Sequence, residues 1–276
     1  RVGRAFGVEL PLHVLFAHPT LAGLAEQISL ELRTRRGVQA PPLRPSPREE
    51  HLPLSFAQQR LWFLQRLEPT SVAYNTPFAL EFEGALEPSA LERALAVILQ
   101  RHEALRTTFL EVGEERVQRI HAFEPLPLAR WDLSGEPEAE RSRRLRELID
   151  AQTREPFSLE RGPLLRQGLV RLGEDKHVLL LTMHHIVSDG WSMGVLLHEL
   201  GELYAAFRQG HEAPLAPLPV QYADFALWQR EWLRGEALER GLAYWKKQLG
   251  SAEGVLQLPV DRPRASARAH RAAIAR

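Results

Sequence analysis

The chain has 276 residues, and its 35 Lys+Arg balance 35 Asp+Glu to a net charge of +0; with no basic run, this excludes a nucleic-acid binder held by electrostatics. The absence of cysteine removes disulfides, a thiolate nucleophile and Cys-ligated metal, and it suits a cytoplasmic protein. The longest clean apolar run, about Val178–Met183, is far short of the roughly 20 residues of a membrane span, and no secretory leader is expected at Arg1-Val2-Gly3-Arg4.

In chain order, residues 1–36 read as short amphipathic helices. Thr20 is placed to cap a helix whose Leu21, Leu24, Ala25, Ile28 and Leu32 share one face, and Gly37 stands where the helix should end. Such a segment is too small to build its own core. Pro41, Pro42, Pro45 and Pro47 mark residues 37–50 as an extended, poorly packed linker. The main domain is expected from His51. Ser55-Phe56-Ala57-Gln58 has capping-box spacing and predicts a helix to about Leu67. Phe78, Leu80 and Phe82 alternate as in a strand ending at Gly84, and Pro88 opens a helix with Leu91, Leu95, Ile98 and Leu99 on one face. Leu105–Val112 and Arg116–His121 read as a hairpin around Gly113, and 136–155 as a charged helix. Strands are expected over Leu164–Leu172 and Lys176–His184, the second apolar enough to be covered on both faces. A helix over Trp191–Gln209 follows, then a Pro-rich bridge, then aromatic-rich helices over 220–249. The mixed order predicts α/β layers.

Chemistry concentrates in Met183-His184-His185-Ile186-Val187-Ser188-Asp189-Gly190-Trp191-Ser192, where a buried strand gives way to a helix. Adjacent strand residues point to opposite faces, so His184 and His185 cannot both enter one pocket. Asp189 lies four residues on, in a tight turn closed by Gly190, which can take positive φ at little cost. Three other readings share these residues. Both histidines can be merely structural. His185 and Asp189 can ligate a metal, though zinc needs a third protein ligand. Gly190-Trp191-Ser192-Met193-Gly194 also matches the Gly-x-Ser-x-Gly elbow of serine hydrolases, with Asp224 or Asp261 and then His270 in the right order; but that serine belongs on the turn directly after its strand. A second cluster, Arg101–Phe109, packs Arg101, His102, Glu103 and Arg106 into a helix-to-strand junction, as a solvated helix end or as a buried ion pair reaching another segment.

Taken together, these segments resemble the condensation domain of nonribosomal peptide synthetases. Ser55–Leu64, Arg101–Phe109, Met183–Ser192 and Tyr222–Trp228 look like that family's first four core motifs, in order. Phe6–Leu12, His18–Thr20 and Leu21–Ile28 resemble the last helices of a peptidyl carrier domain. The chain opens on Arg1 rather than Met, as a piece of a longer polypeptide would. The resemblance implies a carrier remnant over 1–36, a linker over 37–50, a first chloramphenicol-acetyltransferase-like lobe over 51–219, and the start of a truncated second lobe over 220–276. It implies amide formation between two carrier-bound thioesters, with His185 as the catalytic group and His184 and Gly190 as structural members of the motif. Asp189 would form a buried salt bridge to Arg106. No cofactor would be bound directly. Phosphopantetheine arms would arrive on upstream and downstream carrier domains, beside an adenylation domain, with no nucleic acid or membrane as partner. The motif forms look most like domains joining two L-residues. The alternatives are a non-catalytic carrier-docking fragment, given that half the family's fold is present, and a serine hydrolase using Ser192.

Overall fold

The computed structural model describes Val2, Phe6, Val8, residues 10–34 and residues 40–250. They fall into two compact units, divided at Pro42/Leu43 and at Arg230/Glu231. The larger unit therefore takes in part of the Pro-rich stretch and the start of the 220–249 helical region. Ser46 N–H donates to Asp224 (2.8 Å) and the Arg48 guanidinium grips the same carboxylate (2.6 and 3.0 Å), so this stretch is extended yet tied down.

The smaller unit holds α1 (Leu12–Ala17), α2 (Leu21–Thr34) and α8 (Glu236–Leu249). Thr20 Oγ1 accepts from Gly23 N–H at 3.1 Å, the capping bond its position predicts. Gly37, expected at the end of that helix, lies outside the described residues.

In the larger unit, β1 (Leu52–Pro53) leads into α3 (Phe56–Leu67). Ser55 and Gln58 form a reciprocal capping box, at 3.1 and 2.9 Å. Next come β2 (Asn75–Glu83), α4 (Pro88–Arg101), a 3₁₀ turn over Glu103–Arg106, β3 (Thr107–Val112), β4 (Glu115–Ile120) and β5 (Ala129–Asp132). The chain continues through α5 (Glu138–Arg154), β6 (Leu165–Arg171), β7 (Lys176–His184), α6 (Gly190–Arg208) and α7 (Tyr222–Trp232). The strands form two sheets, β1-β4-β3 and β2-β7-β6-β5. The second is mixed: β7 pairs antiparallel with β2 and β6, while β5 joins β6 in parallel. Trp131 of β5 packs so closely over Gly168 of β6 that a Cβ there would collide with the indole.

Central β7 is buried from His177 to His184, as its unbroken apolar run predicts. Leu179, Leu181 and Met183 join Leu91, Leu95 and Ile98 of α4 and Leu196, Leu200 and Leu203 of α6 in the main core. Val178 and Leu180 face the opposite way, into a second cluster covered by Leu145, Leu148 and Ile149 of α5. A helix layer thus lies on each face of the sheet, and β7 delivers its C-terminal residues to the N-terminus of α6.

Candidate active site

β7 ends on His184, and the next two residues part company. His184 is 1% exposed. Its Nδ1 accepts from Ile186 N–H at 3.1 Å, so the ring proton sits on Nε2, which is buried without a hydrogen-bond partner. Tyr74 and Phe157 stand beside the ring, with centroids at 6.3 and 6.1 Å. Burial, and secondarily the charge of His185, pushes the His184 pKa down to about 4. At neutral pH His184 is an uncharged clamp on the turn. His185 is exposed, while its backbone N–H is held by Tyr74 C=O at 2.8 Å. Val187 N–H closes the turn on His184 C=O at 3.1 Å. The two rings are thus kept apart, though not by alternation within a strand: His184 closes β7 and His185 opens the turn, which carries an open imidazole on anchored backbone.

Asp189 does not do what the motif suggested. It is exposed and caps α6, its Oδ1 accepting from Ser192 N–H (2.8 Å) and Ser192 Oγ–H (2.7 Å). Those bonds, with His185 nearby, hold its pKa below the usual carboxylate value. No ion pair joins Asp189 to Arg106 among the described residues; Arg106 bonds to His121 C=O and lies 3.8 Å from Glu103. The physical reason is local. An Asp three residues before a helical N–H finds its partner inside its own turn, with no need of a distant cation. Gly190 does not use the freedom of a glycine. It is the first residue of α6 and lies outside the positive-φ region, so no backbone strain calls for glycine there. A Cβ at Gly190 would meet nothing within 4 Å.

The ion pairs sit elsewhere. Glu199 of α6, 6% exposed, accepts from Arg101 Nε (3.0 Å) and meets His102 Nε2 (2.6 Å). Burial alone would raise the Glu199 pKa; the His102 and Arg101 contacts overcome it and hold the carboxyl low. Glu103 bonds Arg48 at 2.8 Å, and its N–H donates to the Gln221 side chain at 3.1 Å. Asp224, 1% exposed, accepts from Arg48, Ser46 N–H and Gln221 N–H, and these outweigh the burial that would raise its pKa. The Arg101–Arg106 cluster does reach other segments, through partners the sequence reading missed. Glu199 had one readable signal, an acidic residue on the inward stripe of Leu196, Leu200 and Leu203. Arg48 had none.

The chain matches the family model described as "Condensation domain" over residues 48–275. It belongs to the condensation-domain family. It is 50% identical over 274 residues to a linear gramicidin synthase of Brevibacillus parabrevis, a match covering 99% of this chain and 4% of that protein. It is 46% identical over 260 residues to malpibaldin synthetase of Mortierella alpina, covering 94% and 5%. Among solved structures, the X-domain in its complex with OxyB from teicoplanin biosynthesis superposes with a TM-score of 0.72 at 33% identity, covering 83% of this chain and 50% of that one. The first condensation domain of the CDA synthetase superposes at 0.65 with 28% identity, covering 74% and 51%. The chain thus spans about a twentieth of the curated relatives and half of the solved ones.

Within this condensation-domain chain the competing readings lose their parts. Ser192 lies in the first turn of α6 rather than on a strand-to-helix elbow, and its hydroxyl donates to Asp189 instead of an imidazole. Asp224 is occupied by Arg48, while Asp261 and His270 lie outside the described residues. No group of three or more His, Asp or Glu able to hold a metal comes together among the described residues. Among them, too, no helix is long and apolar enough to cross a membrane. Beside the His185 turn lies a cavity of about 280 Å³, floored by Ile98, Leu105, Met183 and Leu196.

Proposed function

We propose that this chain forms an amide bond between an upstream carrier-bound acyl or peptidyl thioester and the amine of a downstream carrier-bound aminoacyl thioester, the partners in an L-to-L coupling. The observation that carries the reading is the pairing of a neutral, buried His184 with an exposed, backbone-anchored His185. An uncharged imidazole can take the proton of an attacking amine or hold that amine in line, and a rigid mount keeps it there. His185 is the catalytic residue in this reading, His184 and Asp189 hold its turn, and Gly190 leaves the space before it open. Residues 51–219 act as the first lobe and 220–276 open the second, with 1–36 as the end of a carrier domain and 37–50 as its linker. Substrates arrive on phosphopantetheine arms of carrier domains, beside an adenylation domain, in the cytoplasm.

The test is coupling of two loaded carriers by the domain with its second lobe supplied. His185→Ala should lower turnover about 10²–10⁴-fold, the usual worth of a positioned acid–base group, with substrate binding retained. Unchanged turnover in His185→Ala would overturn the assignment. A wild-type domain that captures carriers without coupling them would favour a docking role.

A further inference from the structure

We infer that the cavity beside the His185 turn is a side-chain pocket selecting apolar residues on the thioester substrates; this rests on the amide-forming reading above. Its volume, about 280 Å³, exceeds the ~150 Å³ engineered cavity that holds a benzene, so a leucine or phenylalanine side chain fits. Its place ties it to the chemistry. Val187, Ser188, Trp191 and Ser192 of its wall belong to the segment that carries His185. Met183 also lines it, next to last in β7, and the turn that carries His185 begins directly after the strand. Trp191, 85% exposed, marks where the cavity opens.

Its selectivity follows from how the polar wall is spent. Besides the Trp191 indole, five polar side chains stand there, and each already holds a partner inside the domain. His102 meets Glu199 (2.6 Å) and Tyr222 Oη meets Ser55 Oγ (3.1 Å). Ser192 donates to Asp189 (2.7 Å) and Ser188 to His184 C=O (3.4 Å). Gln221 uses both ends, accepting from Glu103 N–H (3.1 Å) and donating to Arg101 C=O (2.8 Å). A charged or amide side chain entering this space would lose its water and meet no carboxylate, Lys or Arg in the lining, only spare lone pairs on engaged hydroxyls and the rim indole, whereas an aliphatic or aromatic one gains by burial. The pocket therefore disfavours polar residues by leaving them short of partners.

The experiment is titration of the full chain, with its methyl groups isotope-labelled, against four probes read by methyl NMR shifts. L-leucinamide and L-aspartamide represent the amine-bearing substrate. The N-acetylcysteamine thioesters of N-acetyl-leucine and N-acetyl-aspartate represent the acyl-bearing one. The expected result is that a leucine probe shifts the methyls of Met183, Val195 and Leu218 and binds roughly 10²-fold more tightly than its aspartate counterpart. Response to the amide alone assigns the pocket to the amine-bearing substrate, and response to the thioester alone to the acyl-bearing one. Ala104→Phe, which fills the cavity, should weaken binding about tenfold or more. Leu218→Phe, on a half-buried segment, serves if that variant does not fold. Equal affinity for leucine and aspartate probes, shifts elsewhere, or unchanged binding in both filled variants overturns the pocket. Binding that survives in His185→Ala, with coupling also unaffected, overturns the amide-forming reading and leaves the pocket standing.

Discussion

Asp189 and Asp224 both stand at the entrance to a helix, each in a segment that resembles a family motif, and they end in opposite circumstances. Asp189 is exposed and spends its carboxylate on Ser192 of the same turn. Asp224 is buried and closes contacts with Ser46 and Arg48, across 178 and 176 residues of sequence. The first carboxylate starts a helix. The second ties the Pro-rich stretch and α7 into one unit. A buried carboxylate deprived of its cation has nowhere to shed its charge, whereas an exposed cap that is removed leaves N–H groups that water can reach. The Asp189 cap is therefore locally built and tolerant, and the Asp224 site carries a long-range tie.

The contrast can be broken most sharply at Arg48. Arg48→Met leaves Asp224 buried without its cation and should destabilise the larger unit by about 3–5 kcal/mol, read from urea denaturation. A loss no greater than that of an Asp189 variant would erase the distinction. His184 supplies the next effect. Its folded-state pKa of about 4 lies below the ordinary 6.5, so between those values the unfolded chain takes up a proton that the folded one refuses. Stability is full above pH 6.5 and falls as the pH drops toward 4, by about 3 kcal/mol in all. His184→Gln should flatten that part of the stability–pH curve, and an unaltered slope would mean that the ring is hydrated. A smaller change is expected at Asp189. Asp189→Ala should remain folded and soluble and lose about 1 kcal/mol, with Asp189→Asn restoring most of it; a collapse of the fold would reinstate a distant partner. The least effect should be the coupling between Asp189→Ala and Arg106→Ala, which a double-mutant cycle should place within about 0.5 kcal/mol of zero.

Much of the larger unit was legible along the chain because its signals are short-range. The Ser55–Gln58 box, Pro88 at the head of α4 and the Gly113 hairpin each use bonds or torsions within a few residues. The parting of His184 from His185 was expected from strand alternation but comes from the end of the strand, since His185 already lies in the turn. The parallel strand β5 was missed: it spans four residues, Ala129–Asp132, and its pairing with β6 leaves no periodicity to read. The Asp189–Arg106 pair was misread because opposite charges in two motifs suggest a bridge whenever geometry is unknown.

By itself, the sequence determined most of the helices and strands, the family they resemble, and the place of the turn that carries His185, since caps, alternation and apolar runs act over one or two turns of chain. Tertiary structure alone decided which ions meet: Glu199 with Arg101 and His102, and Asp224 with Arg48. It also decided that the polar side chains beside the turn are engaged inside the domain. Charge pairing depends on distance and desolvation across the fold, and no local pattern records either.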